Sequence, residues 1–85
     1  IGCQIDLLIH SSMDIYFLCE IKCKKNIEKS VINEVENKIK AIKLPRRSVV
    51  RPVLIYVGEI YPPHQQEIEN YFHRIIAFDE MLVED

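Results

Sequence analysis

Three ionisable residues stand on two short apolar segments. Asp6 lies within CQIDLLI (3–9), and Glu20 and Lys22 lie within IYFLCEIK (15–22). In extended chain, alternate side chains share a face. Glu20 and Lys22 therefore point one way, and Cys19 and Ile21 point the other. Strand interiors disfavour Glu and Lys, so an acid and a base side by side in an apolar run need a reason. Between the segments, HSSMD (10–14) is rich in residues that bond their own backbone in turns, and the two runs read as an antiparallel hairpin. The most natural register sets Asp6 opposite Glu20, Gln4 opposite Lys22 and Leu8 opposite Leu18. A slip of one residue would turn one strand's set away from the other's. Two carboxylates on one rigid face repel each other, and a divalent cation with oxygen ligands relieves that repulsion. Mg²⁺ retains water, and such water attacks phosphodiesters. Lys22 would steer that water or neutralise the developing charge. The same three residues would equally form a surface salt-bridge cluster on a half-exposed sheet, which is worth little.

The elements that must position these residues follow from periodicity. After the hairpin, Ile27, Val31, Val35, Ile39 and Ile42 recur at helical spacing and form one apolar stripe. Asn26 or Ser30 is the expected cap, acids lead and lysines trail in accord with the helix dipole, and Pro45 stops the helix. PVLIYVG (52–58) is an unbroken apolar run and reads as a strand buried on both faces. Pro62 and Pro63 suit the first turn of a second helix, roughly 63–73. IIAF (75–78) reads as a short last strand, with Asp79 capping a final turn over EMLV. The order strand, strand, helix, strand, helix, strand predicts a mixed sheet with helices packed on it. Ile5, Leu7, Ile9, Phe17, Cys19 and Ile21 share the face opposite the charged residues and are expected to form core.

Eighty-five residues suffice for one small domain with one core. No apolar run reaches the length of a membrane span, and the start lacks a signal-peptide pattern. The expected compartment is the cytoplasm, with Cys3, Cys19 and Cys23 reduced. The formal net charge of −2 excludes a uniformly basic nucleic-acid binder, but the charge is unevenly spread. Residues 22–51 carry seven Lys and three Arg against three Glu, whereas the rest sets Arg74 against ten acids. One part is suited to phosphate and the other to solvent or a partner.

The sequence GCQIDLLIH, a short hairpin and LCEIK together resemble the PD-(D/E)XK nuclease superfamily. More narrowly, they resemble the nuclease-like domain at the C-terminus of prokaryotic AAA-type ATPases, and the likeness runs on through NKIKAI, VLIYVG and FDEML. The resemblance implies a restriction-endonuclease-like α/β fold, a mixed sheet flanked by helices. That core normally opens with a helix and a strand absent here, so the chain is expected to be a C-terminal piece of a longer protein. It implies Asp6 and Glu20 as ligands of Mg²⁺ or Mn²⁺, the backbone carbonyl of Ile21 as a further metal ligand, and Lys22 as the catalytic lysine, with Gln4 in a supporting position. The implied substrate is nucleic acid, DNA before RNA, and the implied partner is an ATPase domain in the same longer chain. The alternative is a non-catalytic C-terminal docking domain of such an ATPase, favoured by the acidic balance outside 22–51 and by the missing opening helix.

Lys24, Lys25 and Lys29 follow the motif and are candidates for nucleic-acid backbone contact or for a solvated helix start. Arg46, Arg47 and Arg51 make a second basic patch, more in keeping with a loop. Lys38 lies on the helix behind the motif. Three Cys with His10 make a weak zinc pattern, and His64 and His73 have no partner at ligand spacing. No Gly-rich phosphate loop or GxSxG nucleophile motif occurs. Without the upstream helix and strand, an apolar sheet face and an edge would be uncovered, which predicts a homodimer in light scattering.

Overall fold

The computed structural model describes residues 4–78, and side chains from Asp6 onward. It is a small α/β domain. Strands β1 (Gln4–His10) and β2 (Ile15–Ile27) form the hairpin, followed by helix α1 (Ser30–Ala41), strand β3 (Val49–Ile60), a 3₁₀ turn (Pro62–His64), helix α2 (Gln65–Tyr71) and strand β4 (Arg74–Ala77). The four strands form one sheet in the order β1-β2-β3-β4. β1 is antiparallel to β2, and β3 and β4 continue in parallel. No helix among the described residues is long and apolar enough to cross a membrane. The expected final turn over 80–83 lies outside the described residues.

The parallel connections explain where the core sits. Right-handed β-α-β crossovers that advance in one direction along a sheet place their helices on the same face. Accordingly Leu18 and Leu54 from the strands, Val31 and Val35 from α1, and Ile68 and Phe72 at α2 share one buried cluster. Glu20 is aligned with Leu54 across the β2–β3 ladder and so faces the same helices. This corrects the expectation that the opposite face is the core. On that opposite face Leu7 is 50% and Ile9 44% exposed, although Cys19 and Val53 at its centre are buried. β3 is thus buried on both faces only in its middle, at Val53 and Leu54, and Val57 is exposed.

β2 runs five residues further than its apolar run suggests, because β3 pairs with it as far as Ile27↔Ile60. The ladder shifts between Lys24 and Asn26. That extra residue reverses the alternation of faces, so Ile27 points to the same side as Leu18 and Glu20 and is buried there. Ile27 therefore belongs to the core as a strand residue, not as the first member of the helical stripe. Asn26 lies in the strand, and α1 begins at Ser30 with Lys29 at its N-cap and no side-chain capping bond. The second helix is likewise shorter than expected, a 3₁₀ turn followed by seven α-helical residues.

α1 and α2 are linked by a hydrogen bond in which Tyr71 Oη donates to Glu36 Oε2 at 2.5 Å. Burial raises the Tyr71 pKa above its ordinary 10.0, and the Glu36 carboxylate adds to the shift. This bond is therefore intact below pH 10 and is lost as pH rises through the folded value. Tyr71→Phe should lower the unfolding free energy by about 1.5 kcal/mol in urea denaturation at pH 7, the lower end of the range for a hydrogen bond to a charged group, because the pair is only partly buried.

Cys19 is a free, buried thiol, and burial raises its pKa.

Candidate functional site

The hairpin register is the one read from the sequence: Asp6 pairs with Glu20, Gln4 with Lys22 and Leu8 with Leu18. The turn that sets it is closed by Ser11 N–H to Ile15 O at 2.9 Å and by Ile15 N–H to Ser12 O at 3.0 Å. Met13 adopts a φ of 51°, and His10 Nε2 donates to its carbonyl at 2.6 Å. Asp6, Glu20 and Lys22 consequently share the face covered by the helices.

α1 completes the site. Glu34 and Lys38 are spaced three residues after Val31 and Val35 respectively, so the stripe that carries the buried valines also carries one acid and one base toward the sheet. Lys38 Nζ donates to Asp6 Oδ1 at 2.8 Å and to Glu20 Oε1 and Oε2 at 2.8 and 3.0 Å. Lys22 Nζ donates to Glu34 Oε1 at 2.6 Å and lies 3.8 Å from Glu20 Oε2. The acids and lysines thus alternate in one network, with Glu20 fully buried (0% exposed), Lys22 12% exposed and Asp6 42% exposed.

The two acids share one ammonium and yet shift in opposite directions. Hydrogen bonding to Lys38 holds the Asp6 carboxyl below its ordinary 3.8. Burial pushes Glu20 above its ordinary 4.5; Lys38 opposes the shift and Asp6 adds to it. The difference is solvent: Asp6 borders water, whereas Glu20 lies beneath the helix. Burial also works against the charge on Lys38, but its hydrogen bonds to both carboxylates prevail and raise its pKa above 10.5. Environments that separate the pKa values of two neighbouring acids assign the first proton to the buried one.

Asp6 and Glu20 provide hard oxygen donors that already converge on one cationic centre, which is the chemistry Mg²⁺ or Mn²⁺ requires. Among the described residues no group of three His, Cys, Asp or Glu could hold a metal, so two carboxylates would be joined by waters, as Mg²⁺ accepts. The fit holds on condition that Lys38 withdraws. Ile21 pairs with Ile5 on one side and Ile55 on the other. Its backbone lies in the middle of the two ladders, directly after Glu20.

The basic candidates lie elsewhere. Lys24 and Lys25 are exposed at the ladder irregularity. Lys29 pairs with Glu67 of α2 at 3.8 Å, and its backbone N–H donates to His64 Nδ1. Arg46 and Arg47 are exposed in the turn before β3, and Arg51 is half-buried within it. Lys38 is the residue whose place sequence reasoning left open. The available signal was a charged residue three positions after Val35 and four before Ile42, inside an apolar stripe. No family model, curated protein or solved structure matches this chain.

Proposed function

We propose that the chain carries a metal-dependent phosphodiesterase site of PD-(D/E)XK type within a restriction-endonuclease-like fold, acting on nucleic acid and on DNA before RNA. The observation that carries this reading is the convergence of Asp6 and Glu20, from adjacent paired positions of two strands, on a single cation with Lys22 two residues away. Asp6 and Glu20 would hold the metal, with Gln4 beside them at the Lys22 pair. When bound, Mg²⁺ or Mn²⁺ supplies Lewis acidity toward the phosphodiester and lowers the pKa of the attacking water. Lys22, whose ammonium is largely screened from solvent, contributes positive charge toward the developing phosphorane. Lys24 and Lys25, exposed at the far end of β2, would hold the nucleic-acid backbone, and Lys29 would do so on release from Glu67.

A second reading is favoured by the ion pairing itself. The network of Asp6, Glu20, Lys38, Lys22 and Glu34 fastens α1 to the hairpin without any metal, which suits a non-catalytic docking module of a larger ATPase. Calorimetric titration of Mn²⁺ into the wild type and Asp6→Ala separates the two. The nuclease reading expects binding heat in the wild type that is lost in the variant; equal heat in both, or none in either, removes it. Cleavage of plasmid and single-stranded DNA by the complete protein then tests activity.

A further inference from the structure

We propose that Lys38 sets the cation affinity of the Asp6–Glu20 pair: its ammonium holds the position a divalent cation would take and must withdraw before one enters. This inference rests on the metal-site reading above. Lys38 Nζ bridges Asp6 Oδ1 at 2.8 Å and both Glu20 oxygens at 2.8 and 3.0 Å. A divalent ion bonded to those oxygens at roughly 2.0–2.6 Å would occupy the same space, and its charge would repel the ammonium. The two cations therefore exclude each other.

Lys38 also has somewhere to go. Its side chain is 26% exposed and borders an open groove of about 330 Å³ lined by Asp6, Leu8, Leu18, Ala41 and Ile42. Its flexible four-carbon stem allows the ammonium to swing into that groove. α1 stays in place when it does, because the helix is fastened independently by Lys22 on Glu34, by Tyr71 on Glu36 and by buried Val31 and Val35. The apparent affinity for metal is then the intrinsic affinity reduced by the fraction of molecules in which Lys38 is withdrawn. Lys22 does not compete in this way, since its ammonium is 3.8 Å from Glu20 and closer to Glu34.

Two measurements test this. In calorimetric titrations with MnCl₂, Lys38→Met should bind at least about tenfold tighter than the wild type, the competent fraction having become complete, and Lys38→Arg should bind as the wild type does. In the wild type, acylation of Lys38 followed by mass spectrometry should accelerate when Mn²⁺ replaces EDTA, a readout that does not depend on the variant folding. Equal or weaker binding by Lys38→Met, with wild-type binding still lost in Asp6→Ala, overturns the role of Lys38 and leaves the metal site standing. Absence of Mn²⁺ binding in both wild type and Lys38→Met overturns the site itself. An acylation rate indifferent to saturating Mn²⁺ overturns the displacement.

Discussion

Lys38→Met is expected to lower the unfolding free energy by roughly 3 kcal/mol at pH 8, the lower end of the cost of orphaning a buried charge. The lower end applies because Lys38 is a quarter exposed and Lys22 remains 3.8 Å from Glu20. The loss should shrink as pH falls. Burial already raises the Glu20 pKa above 4.5 with Lys38 present, and removing the ammonium removes what opposes that shift. A folded-state pKa above the unfolded value means that protonation favours the fold; stability is fully present below about pH 4.5 and is lost as pH rises through the raised value. The variant should therefore differ less from the wild type at pH 5 than at pH 8. Asp6 works in the other direction. Its folded pKa is depressed, so its contribution in the wild type is present above pH 3.8 and is lost as pH falls through the lower folded value. Urea unfolding of both proteins at pH 5 and pH 8 checks the sign, and a loss independent of pH would contradict the assignment of the buried charge to Glu20.

Gly58→Ala is expected to cost about 4 kcal/mol, combining strain at a left-handed backbone position with a clash that side-chain movement does not relieve. Gly58 has a φ of 115°, and a Cβ there would lie 1.7 Å from the Lys24 carbonyl oxygen. The obstacle is backbone, in the partner strand, at the point where the β2–β3 ladder shifts. Relief requires the ladder to separate, and that ladder places Ile27 in the core. Thermal unfolding should show the loss directly, and a small effect would mean that the bulge is not required for the fold.

The hairpin was legible because its two runs alternate and its turn residues limit the loop, so parity alone set Asp6 against Glu20 and Lys22 on the same side. The number and order of the four strands and two helices followed from periodicity. Which face would be covered was not legible. Leu7, Ile9 and Phe17 are as apolar as Leu8 and Leu18, and the decision came from the handedness of two crossovers rather than from composition. Ile27 was assigned to the helix because it stands at helical spacing from Val31 and Val35, and its parity disagrees with a strand face shared with Leu18 and Glu20. The extra residue between Lys24 and Asn26 resolves that disagreement, and Gly58, its counterpart across the ladder, was the one local hint. Lys38 was hidden for a related reason: its spacing from Val35 puts it on the sheet side of α1, but its partner was fixed only once the helix was seen to lie over the acids.

Among the described residues β1 forms the outer margin of the sheet and has one neighbouring strand, whereas β2 has two. The two carboxylates thus ride on strands of unequal security: Glu20 is held from both sides, and Asp6 from one. Peeling β1 away breaks a single ladder and leaves the β2–β3–β4 layer and its helices intact, so the acids part by a local opening that requires less free energy than global unfolding. Amide hydrogens of Leu7 and Leu8 should accordingly exchange with solvent well before those of Val53 and Leu54.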